Sequence, residues 1–238
     1  MVSIINNNFV AMAQYLLHQF LQQHLLLSTE RCIFWEEEKV LILSDLHFGK
    51  TGHFRKEGIA VPQDVYKEDL QRLVAQIQFF NPEQLIIIGD MFHSHNNKEL
   101  DLFKKWRYDF TQLPMLLIRG NHDILKESWY REAQIVLIEN KLTIGPFAFS
   151  HDIAEVKPEE NQLSYFFSGH IHPGVSIRGA GRQSLRFPCF YFGSQYAVLP
   201  AFSKFTGTHP IKPKKGESVY AVLPANASTS GTGSIIKL

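Results

Sequence analysis

Leu85-Ile86-Ile87-Ile88-Gly89-Asp90-Met91-Phe92-His93 is the stretch that decides the fold. Four aliphatic residues in a row read as a buried strand, because nothing in them offers water a polar face. The strand stops at Gly89 and presents a carboxylate, Asp90. Four other apolar runs stop in the same way. Val40 to Leu43 leads to Asp45 and His47, and Met115 to Ile118 to Asn121, His122 and Asp123. Phe147 to Phe149 leads to His151 and Asp152, and Tyr165 to Phe167 to His170 and His172. Five strand ends that carry ligand-type side chains predict one metal site with Asp90 at its centre.

Working outward from that strand, Pro62 and Asp64 open a helix whose apolar face is Val65, Leu70, Leu73, Val74, Ile77 and Phe80; Asn81-Pro82 ends it. A strand, a helix and a strand in this order imply a parallel pair with a right-handed crossover. Leu100, Phe103, Trp106 and Phe110 predict a second helix, capped by Asn96 or Asn97, and a third spans about Ile124 to Ala133. Further strands are expected at 135–138, 142–144, 174–177, 184–187, 189–192 and 219–223. Before the first ligand pair, Leu25 to Leu27 and Cys32 to Trp35 read as strands, with Glu36 to Lys39 as a solvated hairpin tip. Phe9, Met12, Ala13, Leu16, Leu17, Phe20 and Leu21 repeat at three and four, which predicts an N-terminal helix. Ala225 to Ser234 is low-complexity and reads as part of a mobile tail reaching residue 238, although Ile235-Ile236 can pair as an edge strand. The pattern suits a single domain over 1–238, with its motif core at 40–175 and helical layers outside two sheets.

Bulk properties narrow the function less. The chain has 238 residues, 45% hydrophobic and 20% charged, and a net charge of +1. That balance fits a soluble globular protein with a sizeable core and advertises no global field for nucleic acid. Cys32 and Cys189 stand far apart in no metal-binding pair and read as buried thiols. No apolar run is long enough for a membrane span, and no basic segment precedes the N-terminal leucines as in a signal peptide, so a cytoplasmic location is expected.

The chemistry follows from the donor types. Asp45, His47, Asp90, Asn121, His151, His170 and His172 are all acceptable ligands, and each follows a predicted strand. Ligands of open α/β sheets bind beyond the carboxyl ends of the strands. Mixed carboxylate, amide and imidazole suits manganese, iron, zinc or cobalt better than calcium. Seven donors are too many for one ion with open positions, and they suit two ions that share a bridging carboxylate. The glycine-rich, basic stretch from Gly49 to Gly58 follows the first ligand pair. Lys50, His53, Arg55 and Lys56 within it are expected to bind substrate phosphate at a flexible rim.

As a set, Asp45-Leu46-His47, Gly89-Asp90, Gly120-Asn121-His122-Asp123, His151 and Gly169-His170-Ile171-His172 resemble the calcineurin-like metallophosphoesterase superfamily. That resemblance implies a four-layer α/β/β/α sandwich of two mixed sheets flanked by helices, with a dinuclear centre between layers. It implies that Asp45, His47, Asp90 and His172 hold one ion, and Asp90, Asn121, His151 and His170 the other. A hydroxide held by the two ions would attack phosphorus in line, and His122 would serve as the acid at the leaving oxygen.

His93, three residues after Asp90, is similar to a histidine of the double-strand-break repair nuclease branch and is expected to act on the substrate beside His122. Further stretches resemble the ligase-associated DNA damage response endonuclease family. They are Ile33 to Glu37, Asp45 to Lys50, Phe54-Arg55, Gly58 to Pro62, Leu199 to Phe202 and Phe205 to Gly207. The likeness implies a manganese-dependent phosphodiesterase acting on DNA, with an ATP-dependent DNA ligase, a helicase and an exonuclease as partners. A small-molecule phosphomonoesterase or cyclic-nucleotide phosphodiesterase is the alternative, and a non-catalytic scaffold would have lost ligands that this chain keeps.

Overall fold

The computed structural model describes residues 15–50, 64–93, 98–156, 164–179, 183–225 and 233–238. Strands β1 (Tyr15–Phe20), β2 (Gln23–Ser28), β3 (Ile33–Trp35), β4 (Val40–Ser44), β5 (Gln84–Ile88), β6 (Met115–Ile118) and β7 (Ile135–Ile138) form a first sheet in sequence order. Its first three junctions are antiparallel and its last three parallel. The parallel junctions are spanned by helices α1 (Asp64–Phe80), α2 (Lys98–Tyr108) and α3 (Glu127–Glu132). A parallel pair cannot be closed by a tight turn, so each crossover carries a helix back along the sheet.

The continuous apolar runs are explained by burial on both faces. Leu41, Leu43, Leu85, Ile87, Met115 and Leu117 pack with Leu73 and Ile77 of α1, Phe103 of α2 and Tyr130 of α3. Their neighbours Val40, Ile42, Ile86, Ile88 and Ile118 point the other way, into a core shared with Phe147, Phe149, Phe167, Phe190 and Phe192. Period-two alternation is present, but it selects between two cores rather than between core and water.

The second sheet has the order β14-β11-β12-β13-β10-β9-β8, with β15 on β12 and β16 on β15. These are β8 (Leu142–Ile144), β9 (Phe147–Phe149), β10 (Tyr165–Ser168), β11 (Pro173–Arg178), β12 (Ser184–Phe192), β13 (Tyr196–Val198), β14 (His209–Pro210), β15 (Ser218–Leu223) and β16 (Ser234–Lys237). Phe147 meets Phe167 edge-on at 4.9 Å and Trp35 of the first sheet at 4.8 Å. Such pairs are worth about 0.5–1.5 kcal/mol each beyond the area they bury.

The two mixed sheets agree with the expected fold class. Among the described residues all three α-helices pack on the first sheet. A separate cluster of Val175, Cys189, Val219 and Ala221, with Ile211 packed against it, contains no helical residue. The second helical layer is therefore not among the described residues.

Several sequence expectations change. The helix expected over 9–21 is a strand in its described part, β1, paired to β2 through a turn at Leu21 and Gln22. Leu16, His18 and Phe20 are its inward residues, and the His18 ring lies 4.2 Å from Phe192. Counting that histidine as polar hid the period of two. Residues 9–14 lie outside the described part.

Strands 184–187 and 189–192 are one strand, β12. Pro188 sits where pairing passes from β11 to β13 and β15, a position that tolerates a residue without an N–H. Helix α3 starts at Glu127 rather than Ile124, because Lys126 keeps an extended backbone. Of the tail, Ile235 and Ile236 do pair, with Val222 and Ala221, while 226–232 lie outside the described residues.

Candidate metal centre

Because β4, β5 and β6 are parallel, their carboxyl ends lie along one edge of the first sheet; β9 and β10 do the same in the second. The loops that follow are joined by backbone hydrogen bonds. Asp45 N donates to Gly89 O (3.1 Å), His47 N to Asp90 O (2.9 Å) and His93 N to Phe48 O (2.8 Å). Across the sheets, His170 N donates to Asp45 Oδ2 (3.1 Å); within the second sheet, Gly169 N donates to His151 O (3.1 Å).

Two donor groups result. Asp45, His47 and His172 offer atoms within 4.8 Å of one another, and so do Asp90, His151 and His170. In the first, His47 Nε2 lies 3.2 Å from His172 Nε2, which is 3.3 Å from Asp45 Oδ1. In the second, His170 Nδ1 lies 3.2 Å from His151 Nε2, which is 3.4 Å from Asp90 Oδ1. Asp90 Oδ2 turns toward the first group, 3.9 Å from His47 Nε2. The two oxygens of Asp90 therefore face different groups.

The donor chemistry fits cations. His151 Nδ1 is 3.1 Å from the carbonyl oxygen of Ile88, which fixes the ring and leaves Nε2 directed at Asp90. Burial alone would raise the Asp90 carboxyl. The hydrogen bond and charge of His151, the His122 amide (2.9 Å) and His47 outweigh it and hold the carboxyl well below the usual range. Burial lowers His47 more than Asp90 raises it, so its imidazole is neutral, the form that binds a metal. Burial opposes charge on His151 too, but the Asp90 carboxylate beside it prevails and pushes it up.

The backbone is bent to achieve this. Asp45, His47, Asp90, His170 and His172 all have positive φ, between 48° and 68°. Two residues apart, Asp45 and His47 would share a face of extended chain, but left-handed turns bring them together instead. Aspartate and histidine adopt this region more readily than most residues, but it still costs on the order of 1 kcal/mol or more apiece. Such strain persists only where surrounding bonds over-determine it.

Two glycines give the ligands their room. A β-carbon on Gly89 would lie 2.1 Å from His151 Nδ1, and one on Gly169 would lie 2.6 Å from Asp45 Oδ2 and 2.8 Å from Ser44 Cβ. Gly169→Ala is expected to weaken metal binding by about 10- to 100-fold, as loss of ligand support does, while the fold persists. Metal titration beside a thermal melt checks this; unchanged affinity would show that the contact relaxes freely.

The remaining expected residues are placed as follows. Asn121 and His122 are exposed beside the centre, and His122 N binds Asp90. The His93 ring is 4.2 Å from that of His122, and both are 5.5 Å from that of His47. Lys50 is half-buried in the field of Asp90 and Asp45, although burial prevails and lowers its pKa. His53, Arg55 and Lys56 lie outside the described residues.

Asp123 is a participant that sequence reasoning quoted without a role. Its carboxylate accepts from Met91 N (3.0 Å), Phe92 N (3.2 Å) and Gly120 N (2.9 Å), tying the loops after β5 and β6. Burial pushes it up to about 7 despite those bonds. Its signal was the Gly-Asn-His-Asp turn, where a short acid binds nearby backbone amides.

A family model described as calcineurin-like phosphoesterase matches residues 38–162. The chain belongs to that family. The phosphoesterase is also similar to the crystal structure of Pseudomonas putida nuclease MPE. Identity is 30%, over 87% of this chain and 96% of that one, with a TM-score of 0.74. The protein of unknown function AQ665 from Aquifex aeolicus is 18% identical over 60% of this chain and 82% of its own, at a TM-score of 0.40, too low to carry an argument. No curated protein matches the chain. The family match ends before Gly169, so the convergence of His170 and His172 on the same centre is the structure's own addition. Family and donor groups together make the protein a metal-dependent phosphoesterase. Among the described residues no helix is long and apolar enough to cross a membrane.

Proposed function

We propose that this phosphoesterase is a dinuclear phosphodiesterase that cuts DNA. The observation that carries the two-ion reading is Asp90, whose oxygens face two donor groups. Asp45, His47, Asp90 and His172 would hold one ion, and Asp90, Asn121, His151 and His170 the other. Two divalent ions bound there supply Lewis-acid charge to the phosphoryl oxygens and ionise a water for in-line attack. The donors, nitrogen and oxygen with no thiolate, suit manganese, iron, zinc or cobalt alike, and the family resemblance favours manganese among them.

The chain's own groups do the rest. His122 stands outside both donor groups and keeps a ring free to hand a proton to the leaving oxygen. The tilted His93 ring lies beside it at 4.2 Å and would orient it against the substrate strand. Lys50 would meet a backbone phosphate, and His53, Arg55 and Lys56, which follow it in sequence and lie outside the described residues, are proposed to add charge for the same substrate.

Nucleic acid as substrate is supported by the likeness to a nuclease at 30% identity over nearly all of both chains. The family resemblance adds a repair setting, with an ATP-dependent DNA ligase, a helicase and an exonuclease as partners; the cytoplasmic location and the single domain over 1–238 are proposed from the sequence pattern. Purified protein with manganese, offered a phosphate diester, a phosphate monoester and single-stranded DNA in parallel, is expected to favour the diester and the DNA. Preference for the monoester would turn the reading to a small-molecule phosphatase.

A further inference from the structure

A cavity of about 660 Å³ lies away from both donor groups, between the β2–β3 turn, α1, β12 and the end of β15. Arg31, Arg72, Arg186 and Lys204 line it, with Glu30 as the one carboxylate on its wall.

The pairing of these cations is uneven. Arg72, only 8% exposed, donates from Nε to Glu30 Oε2 (2.5 Å) and from Nη1 to Asp69 Oδ1 (2.7 Å). Lys204 Nζ meets Glu68 Oε1 at 2.7 Å. Arg31 donates to the carbonyls of Ala201 (3.3 Å) and Ser203 (3.0 Å) and, among the described residues, forms no ion pair. The Arg186 guanidinium, on the exposed part of β12, has neither an ion pair nor a hydrogen bond among those residues. Three carboxylates thus pair with two of the four cations; Arg31 feels only the more distant charges of Asp69 and Glu30, and Arg186 has no ion pair among the described residues. Burial and the neighbouring Arg72 charge push the Arg31 guanidinium down to about 10, a strain that an anion would relieve.

We propose that this cavity is a second anion site, which takes a phosphate group on Arg31 and Arg186 with Arg72 and Lys204 beside them. The planar fork of a guanidinium matches two phosphate oxygens at once. The volume lies within the range of pockets that hold a small organic ligand, so a phosphate with its attached group fits. The site is linked to the metal centre through residues 201–203. Arg31 and Arg72 hold the carbonyls of Ala201, Phe202 and Ser203, while the amides of Phe202 and Ser203 donate to Ser44 O (2.8 Å) and Asp45 O (3.2 Å). The proposal stands whatever ester the metal centre cleaves.

The test is calorimetric titration of the full chain in EDTA, so that no metal ion holds phosphate. Inorganic phosphate is one probe and a short oligothymidylate the other. Phosphate is expected to bind once per chain, and Arg186→Gln to weaken it about tenfold or more. That guanidinium supports no other described group, so the melting temperature without phosphate should not change. Arg31→Gln is the second variant, with a loss of similar size. Weakening of both probes assigns the site to a nucleic-acid backbone, and weakening of inorganic phosphate alone to a free phosphate compound. Binding of neither probe in EDTA, or affinities that Arg186→Gln leaves unchanged, would overturn the proposal.

Discussion

Asp90→Ala is expected to lower phosphodiester hydrolysis by on the order of 10³-fold or more, because it removes charge that both ions need in the transition state. Among the described residues, Asp90 is the one whose carboxylate lies within 4 Å of ring nitrogens from both donor groups. The fold should survive. The change strands one amide, His122 N, but it also removes a carboxylate whose burial is itself costly. Steady-state rates at saturating manganese, with circular dichroism as the check on folding, measure the effect. His172→Ala, which removes a ligand from one group only, should cost less. A folded Asp90→Ala protein within tenfold of the wild-type rate would remove Asp90 from the centre.

His122→Ala should lower the turnover of DNA by about 10²–10⁴-fold, the usual contribution of a general acid. The informative quantity is its dependence on the leaving group. A p-nitrophenyl ester leaves as a stable anion and needs little proton help, so its loss should be far smaller. His93→Ala, acting on His122 and the substrate strand rather than on the leaving oxygen, should fall between the two. If His122→Ala slows both substrates equally, the residue supports the centre's geometry instead, through the amide it gives to Asp90.

The legible parts of this molecule were those where one physical requirement dominates. Strands β4 to β6 lie between two cores, so all their residues but the end positions Ser44 and Gln84 are apolar, and their limits could be read within a residue. The donors were legible because they follow those strands directly. What escaped was set by distant partners. His18 counts as polar until Phe192 and Tyr220 are seen packed on it. Asp123 acts through three amides from two loops, which no spacing rule reveals. Arg72 binds a glutamate from the β2–β3 turn and a carbonyl 130 positions away. The left-handed backbone at five ligands was equally hidden, since none of the five is the glycine that most clearly marks positive φ.

The account's central claim is a two-ion centre, and counting ions tests it most directly. Protein stripped with EDTA, titrated with manganese and assayed for bound metal, should take up two ions per chain, with hydrolysis appearing as the second site fills. Full activity at one ion per chain would contradict it.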